Sequence, residues 1–410
     1  MSTEKRWFER AAGRVAVGMS VSMAMLIAAG CSSAGGAGAA DSLAEMDPVT
    51  LTYTHPSPEG SILAMPYKDF ASEVDEATDG KITFEPYWSS SLLPIAEVPG
   101  GLTGGVADVA LVYPPFYPEE YPVGAWVDEF FRGDPGEEAE FPVGPLATSG
   151  AHIEEIMNSP EVQADYEAHG VHLLVPMQSD PYGLLCSEPV DTLDDLNGLK
   201  VRSSGGVWEE EIKALGMTPV NISLNESYQG LQQGIFDCFL GTPESIVDSG
   251  MDEVAKHYTT VPFSTTSMQN LVISKNAWDR LPKDAQKILY EASAGWAVGY
   301  FEGRLASHAA LSEAGVQILT PGEDVVTTLR NHQEAHVGQM EQEAPEGIAD
   351  PAAFMSDYRA MQSSWRSYLT DEQGIDSSGA TVLDGSLDPA DVPLDGFRER
   401  INQVYEQVAK

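Results

Sequence analysis

The sequence predicts an α/β fold, in which strands and helices alternate along the chain. Between Val49 and Tyr113, apolar strand patterns alternate with helical ones, and a second series of this kind begins near Val171. A continuous helical pattern then runs from Pro282 to about Ser312. Such alternation is typical of parallel sheets that are covered by helices on both faces. The 410 residues also favour two domains, since a soluble domain averages roughly 100–200 residues.

The first series predicts three strands, at residues 49–53, 81–88 and 106–113. The segments between them, 61–78 and 92–103, carry apolar residues at helical spacing. The third strand is mostly apolar, as expected of a strand that is covered on both faces.

The second series predicts further strands at residues 172–177, 182–187, 199–202 and 235–240. Ser223 and Glu226 have the spacing of a capping box, which predicts that a helix begins there. Thr242 and Pro243 supply an N-cap and a first-turn proline for another helix. The helical pattern at 282–312 spans about 45 Å, which is long enough to brace two lobes.

The chain is strongly acidic, with 22 basic and 63 acidic residues and a formal net charge of -41. Such a surface repels phosphate backbones, so nucleic acid is excluded as a partner. It also excludes binding to anionic lipids through basic patches. A well-solvated secreted surface explains the acidity, and a saline habitat is the alternative.

The N-terminus predicts export. Residues 1–30 carry four basic residues and then an apolar stretch at 15–29, which is shorter than the roughly 20 residues of a spanning helix. The stretch ends in small residues before Cys31 and resembles the cleavage site of bacterial lipoproteins. We therefore expect a lipid anchor on Cys31 outside the cytoplasm, with residues 31–47 as a flexible tether. Ordinary signal cleavage with a free Cys31 is the alternative.

The two remaining cysteines, Cys186 and Cys238, form an even pair in an oxidising compartment. We predict a disulfide between them, which would stabilise the fold by about 4 kcal/mol in the chain-entropy model. Two buried free thiols are the alternative. No cysteine or histidine cluster has the spacing of a zinc site, and no metal or cofactor is predicted.

The sequence offers no catalytic constellation. It lacks HExxH, GxSxG, Walker and GxGxxG patterns, and its eight histidines are scattered. We therefore predict no catalytic residue and favour a binding function over an enzyme.

One arginine stands out as a candidate ligand contact. Arg202 ends a predicted parallel strand and is followed by a Ser-Ser-Gly-Gly loop and a helix. Open α/β sheets bind ligands at this edge, where a guanidinium can hold a carboxylate with two parallel hydrogen bonds. A structural pair between Arg202 and an acidic residue is equally compatible with the pattern. Thr242 lies at a second strand-to-helix junction, whose N–H groups could face an anion.

A family resemblance adds to this interpretation. Four segments carry it: DLNGLKVR (195–202), LGMTPVNISLNESYQGLQQGIFD (215–237), EVAKHYTTVPF (253–263) and SKNAWDRLP (274–282). In these segments the chain resembles the dicarboxylate-binding (DctP-type) solute receptors of tripartite ATP-independent periplasmic (TRAP) transporters. A weaker match continues from Leu51 to Tyr113.

The resemblance implies a two-lobe periplasmic-binding-protein-like fold of class II type, with crossing strands and a long lobe-spanning helix. On this pattern lobe I contains residues 48–179 and 267–306, and lobe II contains residues 180–266 and 307–410. The lobes would close on one small organic acid. The disulfide would then join two neighbouring strands of one lobe.

The resemblance also implies site residues. Arg202 matches the family arginine that clamps the ligand carboxylate. Thr242 takes a position where the family often has asparagine, and Cys186 lies in a strand where many members carry another arginine. Tyr113 and Phe263 match pocket-lining positions, and we add Trp88 and Trp208 as weaker candidates.

The predicted function is that of an extracytoplasmic solute receptor, which delivers its acid to the small and large membrane subunits of a TRAP transporter. Two alternatives remain at this stage. One is a receptor of the same architecture that serves an ABC permease or a sensor. The other is a secreted lipoprotein enzyme on a similar scaffold.

Overall fold

Strands and helices alternate through the computed structural model, as the sequence predicts. The structure describes residues 42–133, 142–203, 205–267, 269–375, 382–383 and 385–409. The predicted export signal, Cys31 and most of the predicted tether lie outside the described residues. No helix in the described ranges is long and apolar enough to cross a membrane.

The chain begins with the elements of a first sheet and their covering helices. They are β1 Val49–Thr54, α1 Met65–Ala77, β2 Ile82–Tyr87, α2 Val98–Thr103, β3 Val109–Leu111, α3 Pro122–Gly133, α4 Val143–Asn158, α5 Pro160–Ala168 and β4 Val171–Val175.

The middle of the chain builds a second sheet. Its elements are β5 Tyr182–Cys186, α6 Leu193–Leu196, β6 Lys200–Ser203, α7 Val207–Ala214, β7 Thr218–Asn221, α8 Leu224–Gln232, β8 Cys238–Gly241, α9 Pro243–Asp248 and β9 His257–Phe263. The remaining elements are β10 Leu271–Ser274, α10 Lys275–Trp278, α11 Lys283–Glu313, β11 Gln317–Leu319, α12 Glu323–Met340, α13 Pro351–Ser367 and α14 Asp395–Val408.

Both sheets combine parallel and antiparallel pairs. The first has the order β2-β1-β3-β10-β4, in which β1 runs parallel to β2 and β3 while β10 is antiparallel to both neighbours. The second has the order β11-β9-β5-β8-β6-β7, in which β6 is parallel to β7 and β8 while β5 is antiparallel to both neighbours. The antiparallel strands β5 and β10 are those that enter each sheet from the other one.

Two segments cross between the sheets. Residues 176–181 lead from β4 to β5, and residues 264–270 lead back from β9 to β10. They pair with each other, since the Ser179 amide donates to the Thr266 carbonyl at 2.8 Å, and Gln178 and Ser267 form an isolated antiparallel bridge. The two crossings that the resemblance implies are therefore present, as loop segments joined by this bridge rather than as strands.

The long helix begins and ends within one residue of the predicted bounds, as α11 Lys283–Glu313. Two glycines of this helix allow it to pack closely against the segment around residues 62–66, which follows β1. A Cβ at Gly299 would lie 3.3 Å from Pro66 Cα, and one at Gly303 would lie 3.2 Å from Ile62 Cγ2. The same helix also packs against α9, which follows a strand of the second sheet. It therefore contacts both halves of the molecule.

The C-terminal helices pack differently from the prediction, which assigned all of residues 307–410 to lobe II. The buried side chains of α13 and α14 belong to the core of the first sheet. Trp365 and Phe397 are fully buried there, and the Tyr405 hydroxyl donates to the Leu174 carbonyl of β4 at 2.7 Å. Each helix carries an apolar stripe that must be covered, and the first sheet with α4 provides the surface. As expected, β11 pairs with β9, and Val325 and Leu329 of α12 are buried in the core beside the second sheet.

The predicted disulfide is present. Cys186 of β5 and Cys238 of β8 lie directly opposite each other in the antiparallel register, with their Cα atoms 4.1 Å apart, and they are bonded. The bond joins two neighbouring strands of the second sheet, as the family resemblance implies.

Candidate functional site

The ends of several strands meet between the two sheets. In the second sheet, β6 ends after Arg202 and β8 ends before Thr242, while Tyr182 opens β5 opposite Phe263 at the end of β9. The crossing segments leave from this edge. They arrive at the edge of the first sheet where β3 and β4 end, and Tyr113 lies just after β3 at this edge. We call this edge of the first sheet and the edge of the second sheet that contains Arg202 the facing edges.

Arg202 is buried at the facing edges, with only 6% of its surface exposed. Its Nε donates to the Ile222 carbonyl at 2.9 Å, and its guanidinium carbon lies 5.2 Å from the centre of the Phe239 ring. Burial lowers the pKa of Arg202, and Tyr182 opposes this shift. Over the described residues no carboxylate forms an ion pair with Arg202 and no partner accepts a hydrogen bond from either Nη atom. The structural Arg–acid pair is therefore not found in this part of the chain.

Three tyrosines from separate elements, Tyr113, Tyr182 and Tyr300, influence one another's pKa, and Tyr182 also influences the pKa of Arg202. Burial raises the pKa of Tyr300 on α11 well above its usual value, and Glu244, Tyr182 and Tyr113 raise it further. Tyr113 and Tyr300 are almost fully buried. Tyr113 follows β3 of the first sheet, Tyr182 begins β5 of the second sheet and Tyr300 lies on α11, so the three tyrosines come from both sheets and the long helix.

Sequence reasoning predicted Tyr113 but missed Tyr182, Tyr300 and Glu244. Glu244 follows the predicted Thr242 by two residues, so its place in a Thr-Pro-Glu turn after a strand is a signal that could have found it. Tyr300 lies in the middle of a helix, and no local pattern marks it.

Thr242 is buried and acts as the N-cap of α9, because its Oγ1 accepts a hydrogen bond from the Ser245 amide at 3.3 Å. This confirms the predicted cap. The cap uses one lone pair of the hydroxyl, and the same hydroxyl lowers the pKa of the neighbouring Glu244 through a hydrogen bond.

Phe263 and Trp208 lie in the core beside the second sheet rather than on an open surface. The Trp208 indole donates to the Ser264 carbonyl at 2.8 Å, and its ring lies 4.5 Å from that of Tyr182. The indole therefore supports Tyr182 from behind and fixes the start of the second crossing segment.

Trp88 belongs to an aromatic cluster at the end of the first sheet. Its ring centre lies 5.0 Å from Tyr67, 5.5 Å from His55 and 5.9 Å from Tyr53. Burial raises the pKa of Tyr53, and Tyr113 adds to this shift. The cluster is thus contiguous with the facing edges through Tyr53.

The crossing segments bring buried polar atoms to the same region. Both amide atoms of Gln178, Oγ1 of Thr265 and Oε1 of Gln269 are buried and make no hydrogen bond to any described residue. Buried polar groups are usually hydrogen-bonded, so these atoms are available to water or a ligand.

A buried ion pair anchors the first crossing segment to the long helix. Asp180 accepts hydrogen bonds from Nη2 of Arg304 and, at 2.8 Å, from Nε2 of His308. Arg304 also donates to Ser149 Oγ of α4 at 3.3 Å. Asp180 of the first crossing segment is therefore fixed to α11.

A pocket of about 350 Å³ lies beside the second crossing segment, and none of the six predicted ligand contacts lines it. Its walls come from α3, α7 and α12, and they include Glu129, Glu210, His332 and His336. No group of described histidine, cysteine or acidic side chains, here or elsewhere, has the arrangement of a metal site.

Comparison with known proteins agrees with the architecture. The family model for bacterial extracellular solute-binding proteins of family 7 (DctP) matches residues 53–321. A solute-binding protein of Albidiferax ferrireducens is 26% identical over 264 residues, which cover 62% of this chain and 74% of the relative.

Two solved structures share the fold. An extracytoplasmic solute receptor of Bordetella pertussis that binds pyroglutamic acid has a TM-score of 0.62 at 21% identity, covering 76% of this chain and 99% of the receptor. A TRAP periplasmic solute-binding protein of Bordetella bronchiseptica with bound mandelate has a TM-score of 0.63 at 22% identity, covering 77% and 99%. With two thirds of its length matched by the family model, the chain belongs to the bacterial extracellular solute-binding proteins of family 7 (DctP).

Proposed function

We propose that the protein is an extracytoplasmic receptor that binds one small organic acid between its two lobes and delivers it to a TRAP membrane permease. The observation that carries this proposal is Arg202, a buried guanidinium at the facing edges without a carboxylate partner among the described residues. An unpaired buried charge is costly, so the position favours a ligand that brings the counter-charge.

The hydrogen bonds of Arg202 indicate how a carboxylate would bind. Because Nε already donates to the Ile222 carbonyl, the two Nη groups are left for the ligand. A carboxylate can accept from both at once in a planar pair. The Nε bond holds the guanidinium in one orientation, which limits the entropy lost when the ligand binds.

Closure of the lobes would complete the site. Tyr113 comes from the first sheet and Arg202 from the second, so a ligand that contacts both joins the two facing edges. Closure expels water, which strengthens the ion pair. The crossing segments and α11 would carry the hinge motion.

The ligands of two structural relatives support a small organic acid as the ligand of this chain. Pyroglutamate and mandelate are both carboxylates with a compact ring, and each is bound by a receptor with the same fold. For this chain we propose a small organic acid, attachment to the membrane through lipid on Cys31, and docking to the small and large subunits of the permease.

A thermal-shift screen of organic acids tests the proposal, with the neutral amide of each acid as its matched control. A ligand at 100 times its dissociation constant stabilises the folded state by about 2.7 kcal/mol. We expect at least one acid to raise the melting temperature while its amide leaves it unchanged, because only the acid pairs with Arg202. Stabilisation by amides or by cations, with none by acids, would contradict the proposed function.

A further inference from the structure

Glu244 is a second buried charge-bearing group near the site. It lies in the first turn of α9, and only 1% of its surface is exposed. Neither carboxyl oxygen makes a hydrogen bond of good geometry with a described residue. A buried carboxyl group without a basic partner costs free energy, so its place in the fold calls for an explanation.

The surroundings of Glu244 contain no basic group that would neutralise it within the described chain. Burial, with a smaller contribution from Asp248 on the same helix, raises its pKa to about 7. Its own backbone amide and the hydroxyls of Thr242 and Tyr300 oppose the shift. Tyr258 of β9 is the other titratable neighbour. The carboxyl group is thus bordered by hydroxyls and by one acid.

Glu244 and Arg202 flank the same group of tyrosines. Glu244 and Tyr182 both raise the pKa of Tyr300, and Tyr182 also acts on the pKa of Arg202. The strands that lead to Arg202 and Glu244, β6 and β8, are neighbours and run parallel, about 4.8 Å apart. A small molecule bound to Arg202 at the end of β6 would therefore lie next to the end of β8 and the first turn of α9, where Glu244 lies.

We infer, on the basis of the proposed function, that Glu244 selects the ligand by its second polar group. The carboxyl group accepts a hydrogen bond from an N–H or O–H of the bound acid. The ligand class is then a monocarboxylic acid that carries a hydroxyl, an amide N–H or an ammonium group. A simple dicarboxylate would place its second negative charge against Glu244, and like charges in a buried site repel.

Pairs of acids that differ only in the donor test this selection in the wild-type protein. We choose pyroglutamate with cyclopentanecarboxylate, mandelate with phenylacetate, and the dicarboxylates succinate and glutarate, titrated by calorimetry at pH 8. The donor-bearing member of a binding pair should bind at least ten-fold more tightly than its partner and than either dicarboxylate. Equal affinity within the pairs, or a dicarboxylate as the tightest ligand, would overturn the inference.

The Glu244→Gln variant locates the effect, and Glu334→Gln, on the exposed face of α12, is its control. Glutamine keeps one acceptor oxygen but loses the negative charge and gains an N–H donor, so the variant should weaken the preference for the donor-bearing acid and gain affinity for dicarboxylates. Glu334→Gln should behave as the wild type. A uniform change in affinity for every acid would assign Glu244 a structural role only and overturn the inference.

The two proposals fail in different ways. If no carboxylate in the set binds the wild-type protein, the proposed function is contradicted together with the selection by Glu244. If acids bind through Arg202 but the pairs are equal and Glu244→Gln changes nothing, the proposed function stands and only the inference on Glu244 is wrong.

Discussion

Arg202 and Glu244 show how burial and hydrogen bonding decide what a charged residue can do. Both are nearly inaccessible, and neither has a partner of opposite charge among the described residues. A buried ion pair such as Asp180–Arg304 satisfies its own charges and is structural. Arg202 and Glu244 lack such a partner, so they are the residues whose charge or hydrogen-bonding capacity a ligand can satisfy.

His152 gives a prediction at the same scale. It is fully buried on α4, its ring lies 4.6 Å from that of Phe131, and neither ring nitrogen has a described hydrogen-bond partner. Burial lowers its pKa from 6.5 to about 3. The unfolded chain therefore binds a proton that the folded chain does not bind, and stability is lost as the pH falls from about 6.5 towards 3.

The measurement is urea unfolding of the wild type and of His152→Leu at pH 7 and at pH 5. Relative to the variant, the wild type should lose about 2 kcal/mol of unfolding free energy between these two values, at 1.36 kcal/mol for each pKa unit. The comparison with the variant matters because Glu155 and Glu244, whose pKa values are raised to about 7, shift stability in the opposite direction. A constant difference between the two proteins would contradict the assignment.

At the scale of elements, the crossing segments and the long helix form the connection between the lobes. Asp180 ties the first crossing segment to α11, and Ser179 ties it to the second one. The disulfide stiffens β5, the strand that the first crossing segment enters. We infer that the segments move as a pair when the lobes close, with α11 as their support.

The Asp180→Asn variant tests this anchor. Removing one partner of a buried ion pair costs roughly 3–5 kcal/mol, because the remaining charge keeps its desolvation penalty. The control is Asp279→Asn, which breaks the exposed pair with Lys275 and should cost less than about 1 kcal/mol. Urea unfolding measures both, and equal losses in the two variants would show that Asp180 is not an anchor.

At the scale of the whole molecule, sequence patterns predicted the architecture better than they predicted the contacts between its elements. The bounds of α11, the strand ending in Arg202 and the Cys186–Cys238 pair follow from local signals and family motifs. Tyr300 could not be predicted, since only the tertiary fold brings a mid-helix residue to a strand end. The apolar faces of α13 and α14 indicate that both helices are buried, but they do not indicate against which sheet. For this reason the prediction placed these helices in lobe II, whereas they pack in the core of the first sheet.

The net charge also acts at this scale. A chain with a formal charge of -41 repels anions at long range, so an acidic ligand gains little from the protein surface as a whole. Binding must then depend on local contacts that are shielded from this field by burial. Arg202 is the candidate that meets this condition.

The most direct test of the account is calorimetric titration of the tightest acid from the screen into wild type, Arg202→Ala and Arg330→Ala. Arg330 is an exposed arginine on α12 and serves as the matched control. Loss of the buried carboxylate contact should cost roughly 2–5 kcal/mol, which is about thirty-fold or more in affinity, while Arg330→Ala stays at the wild-type value. An Arg202→Ala protein that folds normally and binds the acid within about three-fold of the wild type would contradict the account.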